Sequence, residues 1–220
     1  MKKILYIVLD GLGDKPIKEL GNKTPLEAAV TGNMDRLAQN GKTGLVYPVA
    51  KGIAPESDIA VISLLGYDAH KYYTGRGPLE SFAEGLAVND GDVALRVNFA
   101  TVTDDGRTIK DRRVGRSLTT EEATALAKEI NSKVALSSAT FEFKNTIGHR
   151  GVLVIRGMRS KLSGWITNTD PAYGREGVFG VAKEKFENLV AQSTPMPGYE
   201  YSQEAKEAAL LLNEFTQKSH

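Results

Sequence analysis

The sequence has no cysteine, no excess of one charge and no long hydrophobic run. Without cysteine, disulfide bonds and thiolate metal sites are excluded. Lysine and arginine total 28 against 27 acidic residues, which excludes a general attraction to nucleic acid or to an anionic membrane. The apolar run over residues 4–9 is too short for a signal peptide, and no segment is long enough to cross a bilayer. We therefore expect a soluble cytoplasmic protein without nucleic-acid or membrane partners.

Hydrophobic patterning divides the 220 residues into two parts with different predicted arrangements of strands and helices. Residues 4–9 are continuously apolar and rich in β-branched side chains, which predicts a buried strand of a parallel sheet. A second strand is predicted over 44–49 and a helix over 57–65. After a turn-rich hinge at 72–78, strands at 94–102, 140–143 and 152–156 surround a helix at 119–130, a pattern typical of an α+β domain. A linker at 193–198 precedes an amphipathic helix at 202–217.

Asp10 and Ser57 are candidates for chemistry in the first part of the chain. Asp10 follows the first predicted strand, where α/β folds place ligand groups, and a carboxylate there can bind a hard divalent cation. Ser57 begins a predicted helix, whose N-terminus favours the negative charge of an activated or phosphorylated serine. An acid that caps a turn and a serine that caps a helix are the alternative explanations.

A set of basic residues marks the second part of the chain. Arginine binds carboxylate and phosphate through paired N–H donors, and these arginines lie near predicted strand ends and turns. A solvated charged surface is the alternative explanation. The set comprises Arg96, Arg112, Arg113, Arg116, His149 and Arg150. His70 and His149 lie too far apart in sequence to indicate a shared metal site.

Eight short motifs follow one another in a specific order. They are VLDGLGD at 8–14, TPLEAA at 24–29, GIAPESD at 52–58, YTGRGPLE at 73–80, RVNFAT at 96–101, DRRVGR at 111–116, GHR at 148–150 and TDP at 169–171. With this series the chain resembles the archaeal-type, 2,3-bisphosphoglycerate-independent phosphoglycerate mutases of the alkaline phosphatase superfamily. The resemblance covers essentially the whole chain.

The resemblance implies a fold and a mechanism. The expected fold is α/β, a partial alkaline-phosphatase-like domain with an inserted α+β domain. Its parts are the first domain at 1–75, the inserted substrate domain at 76–191, and a linker and helix returning to the first domain at 192–220. Asp10 and Ser57 would bind a divalent metal, manganese or magnesium, with two ions in the complete enzyme. Ser57 would be the nucleophile that interconverts 3-phosphoglycerate and 2-phosphoglycerate through phosphoserine, a step of glycolysis and gluconeogenesis. Substrate would be bound by Arg96, Arg112, Arg113, Arg116, His149, Arg150 and Asp170.

The length of the chain leaves alternatives open. Members of the family continue past the last predicted helix and supply further metal ligands there, so the chain resembles an N-terminal portion. We expect little activity from it alone, and either self-association or a missing C-terminal half as partner. Another metal-dependent phosphotransferase or phosphatase of the same superfamily is a second interpretation. A non-catalytic chain that binds a phosphorylated metabolite or a partner subunit is a third.

Overall fold

The structure divides the chain into two compact units. The computed structural model describes residues 3–51, 53 and 56–220, so Gly52, Ala54 and Pro55 of the GIAPESD motif lie outside the described residues. Unit 1 comprises residues 1–72 and unit 2 residues 73–220. The division falls three residues before the boundary expected after residue 75. None of the described helices is long and apolar enough to span a bilayer.

The described part of unit 1 contains four short α-helices. They are α1 (Pro25–Ala28), α2 (Gly32–Asn40), α3 (Ser57–Leu64) and α4 (Ala69–Tyr72). The start of α1 follows directly from its sequence, because Thr24 accepts a hydrogen bond from the Glu27 N–H and Glu27 accepts one from the Thr24 N–H. This reciprocal capping satisfies two donors that a helix start otherwise leaves open.

The two strands predicted for unit 1 are not present among the described residues. Residues 4–9 and 44–49 form no ladder, and Ile4, Leu5 and Leu45 are 94%, 83% and 104% exposed. A strand of a parallel sheet depends on hydrogen-bonded neighbours on both sides. The described part of unit 1 provides no such neighbour for either segment. The apolar residues of these two segments are therefore neither paired in a sheet nor buried.

Unit 2 is built on a three-stranded antiparallel sheet with the order β1-β5-β4. In chain order, unit 2 contains α5 (Arg76–Ala83), β1 (Val93–Asn98), β2 (Thr101–Val102), β3 (Ile109–Asp111), α6 (Thr120–Lys133), β4 (Ala139–Asn145), β5 (Arg150–Gly157), β6 (Tyr173–Glu176), β7 (Phe179–Ala182) and α7 (Gln203–Lys218). The strands and helices predicted beyond residue 90 are confirmed to within a few residues. The pairs β2–β3 and β6–β7 were not predicted.

One face of the sheet carries the main hydrophobic core. Successive side chains of a strand point to opposite faces, so Val93, Leu95 and Val97 of β1 share a face. Leu153 and Ile155 of β5 complete that face, and both are almost fully buried. Helices α6 and α7 cover it with Ala127, Ala205, Ala208, Ala209, Leu211, Leu212 and Phe215.

Helix α7 belongs to unit 2, which corrects the expectation that residues 192–220 return to the first domain. The ring of Phe215 lies 5.1 Å from that of Phe141 and 6.2 Å from that of Phe143, both on β4. The helix has six buried residues, and all six belong to the same hydrophobic core as the inner face of the sheet. Burial of this apolar stripe determines where the helix packs.

Adjacent leucines on α7 allow a matched test of this packing. Leu211 is 2% exposed and Leu210 is 70% exposed. Leu211→Ala should lower the free energy of unfolding by about 2–5 kcal/mol, because it leaves a cavity in the core. Leu210→Ala should change it by less than about 0.5 kcal/mol. Denaturant unfolding followed by fluorescence of the single tryptophan, Trp165, which stacks on Tyr199, provides the measurement. Equal effects of both substitutions would contradict the packing of α7.

Candidate functional site

Asp10 and Ser57, which lie 47 residues apart in sequence, meet in unit 1. The Ser57 hydroxyl donates a hydrogen bond of 2.8 Å to Oδ2 of Asp10. Ser57 is the first residue of α3, and the preceding Glu56 occupies the capping position without a side-chain cap. Ser57 therefore does not act as the helix cap, which removes the main structural explanation for a serine here. Both side chains are exposed to solvent.

The pair is suited to part of a metal site. Carboxylate and hydroxyl oxygens are the donors that hard divalent cations prefer, and such cations take about six or more oxygen ligands. Among the described residues, no group of three or more histidine, aspartate or glutamate side chains is placed to hold a metal ion. Asp10 and Ser57 can therefore contribute two ligands, and any further protein ligands must come from elsewhere.

The second face of the sheet in unit 2 carries arginines. Asn98 of β1 pairs with Arg150 of β5, and Arg96 lies two residues before Asn98 on the same face. Helix α5 packs on this face so closely that a Cβ at Gly77 would lie 2.1 Å from the carbonyl oxygen of Ala94. Only glycine permits that approach, and it places the first turn of α5 over β1.

His149 lies among these arginines. The pKa of His149 is lowered by burial and by the charges of Arg150, Arg113, Arg96 and Arg116. Each of these four guanidinium groups is thus close enough to disfavour a positive imidazole. We call Arg96, Arg113, Arg116, His149 and Arg150 the basic cluster, whose arginine charges disfavour protonation of the histidine.

A strained turn brings two members to the basic cluster. Val114, Gly115 and Arg116 have φ angles of 51°, 59° and 55°, and this left-handed region is unusual for a β-branched residue such as valine. The Asp111 carboxylate accepts a hydrogen bond of 2.7 Å from the Arg113 N–H. Backbone hydrogen bonds from Arg113 and Gly115 lower the pKa of Asp111. Asp111 therefore stabilises the turn that carries Arg113 and Arg116. Such a contact is needed because backbone strain persists only where the surrounding structure enforces it.

Arg112 and Asp170, two predicted substrate-binding residues, bind each other. Arg112 donates through Nε at 2.8 Å and through Nη2 at 2.5 Å to the two carboxylate oxygens of Asp170. The rings of Tyr173 and Phe186 lie 5.2 Å and 5.7 Å from the same guanidinium group. The bond to Asp170 raises the pKa of Arg112. This pair connects the end of β3 to the start of β6 across 58 residues.

Three residues of the site were missed in the sequence. Arg76 and Glu80 form an ion pair of 3.0 Å within α5, and the same Glu80 oxygen lies 3.4 Å from Nε of Arg96. Asp111 was missed as the residue that holds the strained turn. The spacing of four residues between Arg76 and Glu80 is a recognisable helical signal. The contact with Arg96 has no local signal, because it depends on α5 packing against β1.

Comparisons with known proteins agree on one family. A profile described as 2,3-bisphosphoglycerate-independent phosphoglycerate mutase matches residues 38–220. A protein of that name from Aeropyrum pernix is 49% identical over 218 residues, which cover 99% of this chain and 50% of the relative. The relative from Thermococcus kodakarensis is 43% identical, with 100% and 48% covered. The chain thus spans about half the length of the curated relatives that it matches.

Two solved structures are also similar. One is a cofactor-independent phosphoglycerate mutase from Thermoplasma acidophilum, with a TM-score of 0.51 and 34% identity over 96% of this chain and 50% of that chain. The other is a protein from Pyrococcus horikoshii, with a TM-score of 0.59 and 29% identity over 96% of this chain and 42% of that chain. The mixed helix and strand content agrees with these matches.

The charges around His149 generate a pH-dependent prediction. Arg113→Gln removes one charge that lowers the pKa of His149, so this pKa should rise towards the ordinary value of about 6.5. As the pH falls through about 6.5, His149 binds a proton in the unfolded chain more readily than in the folded chain, so the free energy of unfolding decreases. This decrease should be smaller in Arg113→Gln, because its folded-state pKa lies closer to the unfolded value. Proton NMR titration of the three histidines measures the pKa.

The exposed Arg159 provides the control for this titration. Its charge is not among those that lower the pKa of His149. Arg159→Gln should therefore leave the titration of His149 unchanged. An unchanged pKa of His149 in Arg113→Gln would show that Arg113 does not belong to the basic cluster.

Proposed function

The chain belongs to the 2,3-bisphosphoglycerate-independent phosphoglycerate mutase family, and on this premise we propose that it provides the nucleophile and the substrate-binding residues for interconversion of 3-phosphoglycerate and 2-phosphoglycerate. The observation that carries the proposal is the contact between the Ser57 hydroxyl and Asp10. The proposal includes the finer fold expectation. Unit 1 would form part of an alkaline-phosphatase-like domain, and unit 2 would be the α+β domain inserted into it.

In the proposed reaction, Ser57 carries the phosphoryl group between two hydroxyls of glycerate. Oγ of Ser57 bonds to phosphorus while the bond from phosphorus to O3 of 3-phosphoglycerate breaks. The hydrogen bond to Asp10 orients the Ser57 hydroxyl, and the proton that Oγ gives up is balanced by the proton that O3 takes up as it leaves. In the second step, O2 of glycerate bonds to phosphorus, O2 loses its proton and Ser57 regains one. The N-terminus of α3 favours the negative charge of phosphoserine.

Divalent ions complete the proposed chemistry. Asp10 and Ser57 would hold one of two ions, manganese or magnesium, since their oxygen atoms suit hard cations. The ions would neutralise charge on the transferring phosphoryl group. The remaining ligands would come from the half of the relatives' length that this chain does not span.

The basic cluster would hold glycerate between the two steps. Arginines bind carboxylate and phosphate through two parallel N–H donors, and a neutral imidazole can exchange a hydrogen bond with a hydroxyl. The lowered pKa of His149 favours the neutral form of the imidazole in this setting. Arg112 and Asp170 would support this site through their mutual bond, because that bond already occupies two of the arginine donors.

The names of the relatives favour the mutase over the other two interpretations. Another phosphotransferase of the superfamily would share the Asp10 and Ser57 pair, and so would not be distinguished by it. A chain that only binds a metabolite would need the basic cluster but not the contact between Ser57 and Asp10. That contact therefore supports a catalytic function over mere binding.

A coupled mutase assay tests the proposal on two proteins. The 220-residue chain alone should show little or no turnover with manganese, because Asp10 and Ser57 are too few ligands for a tight site. A fusion to the C-terminal half of the Aeropyrum pernix relative should be active. Ser57→Ala in that fusion should abolish activity, since it removes the nucleophile.

Ser63→Ala, on the same helix, serves as the matched control and should retain activity. Folding of each variant is checked by circular dichroism. Robust turnover by the chain alone would show that the metal ligands have been misassigned. Activity near that of the parent fusion in Ser57→Ala would rule out Ser57 as the nucleophile.

A further inference from the structure

Glu80 connects two arginines of unit 2 through a single oxygen atom. Its Oε1 lies 3.0 Å from Nε of Arg76 and 3.4 Å from Nε of Arg96. Arg76 lies one turn earlier on α5, whereas Arg96 lies on β1, against which α5 packs. The side chains of Glu80 and Arg96 are 29% and 22% exposed, so their contact is only partly screened by water.

The surroundings of Arg96 would otherwise disfavour its charge. Burial lowers its pKa, and the neighbouring charges of Arg76 and Arg150 lower it further, whereas Glu80 acts in the opposite direction. Nε of Arg96 is buried and has no aligned hydrogen-bond acceptor among the described residues. The attraction to Glu80 is therefore mainly electrostatic, and it keeps a partly desolvated arginine beside two like charges.

We infer that Glu80 is a positioning residue, which holds the guanidinium group of Arg96 beside Arg76 in the orientation that the basic cluster needs to receive an anionic substrate. The identity of that anion as phosphoglycerate rests on the proposed function. The restraint on Arg96 rests on the contacts alone. Glu80 acts through Arg96 and does not itself touch the substrate.

The direction in which loss of the Glu80 charge changes anion affinity distinguishes a positioning role from a purely electrostatic one. A carboxylate near an anion site weakens the attraction of anions, so loss of its charge alone would strengthen anion binding. Loss of positioning has the opposite effect, because freed arginine side chains must be ordered again when the anion binds. Ordering one such side chain corresponds to a roughly three- to tenfold loss of affinity.

The first measurement needs no ligand. In the 220-residue chain, the Nε–H group of Arg96 should give a resolved nitrogen NMR signal whose proton exchanges slowly with water. Glu80→Gln preserves the shape of the side chain and should cause faster exchange of this signal. Glu84→Gln is the matched control, because Glu84 lies at the end of the same helix and pairs at 2.9 Å with Lys144 instead. Arg96→Lys assigns the signal.

The second measurement is calorimetric titration with 3-phosphoglycerate and, separately, with inorganic phosphate. Glu80→Gln should weaken binding of 3-phosphoglycerate roughly three- to tenfold, and Glu84→Gln should leave it unchanged. Glu80→Asp keeps the charge but shortens the reach, and should give an intermediate affinity. In an Arg96→Gln background, Glu80→Gln should have no further effect, as expected for residues that act through one another.

Each outcome decides one of the two claims. An unchanged Arg96 signal in Glu80→Gln, or binding as tight as or tighter than that of the wild type, would overturn the inference. If the wild-type chain binds no phosphoglycerate, the proposed role of the basic cluster fails, while the Arg96 signal still decides whether Glu80 restrains it. If Glu80→Gln unfolds, Glu80→Asp is used for both measurements, and an affinity equal to that of the wild type would then contradict the inference.

Discussion

The alternation of side chains along β1 and β5 determines most of what unit 2 can do. Val93, Leu95 and Val97 face the helices of the core, and the intervening Arg96 and Asn98 face the opposite side. One face of the sheet therefore carries the core, and the other carries basic residues of the candidate site. Removal of apolar surface from water, at roughly 25 cal/mol per Å², offsets the cost of holding arginines close together on the second face. The core and the candidate site thus depend on the same strands.

Three carboxylates restrain the closely spaced arginines of unit 2, each through a different kind of contact. Asp170 binds Arg112 through two parallel hydrogen bonds. Glu80 shares one oxygen between Arg76 and Arg96. Asp111 accepts hydrogen bonds from backbone N–H groups of the turn that carries Arg113 and Arg116. If the basic cluster binds an anion as proposed, these restraints would lower the entropic cost of binding, because the arginines would not have to be ordered anew.

The sequence predicted the structure best where local patterns suffice. Helix α6 begins with a reciprocal cap between Thr119 and Glu122 and was predicted to within a few residues. The strands over residues 4–9 and 44–49 were predicted from apolar patterning alone, and they failed because a strand depends on neighbours that a pattern does not contain. Helix α7 was correctly predicted but assigned to the wrong unit, since amphipathicity identifies a buried face without identifying what covers it.

The candidate site shows the same limit. The residue types at Asp10 and Ser57 suggested metal and phosphoryl chemistry, but spacing alone left their roles open, and the motif series indicated the family. The structure adds the 2.8 Å contact between them. The bond between Arg112 and Asp170 and the contact between Glu80 and Arg96 had no local signal, because packing of distant segments creates both. The charged residues of the site could therefore be identified from the sequence, but not which carboxylate pairs with which arginine.

The central claim is that unit 2 forms an anion site from its own residues. It is tested most directly by mapping NMR shifts of the 220-residue chain during titration with 3-phosphoglycerate in the presence of a metal chelator. The account predicts saturable shifts centred on Arg96, Arg113, Arg116, His149 and Arg150, strongly reduced in Arg116→Ala. Binding that needs metal, or shifts that avoid these residues, would contradict it.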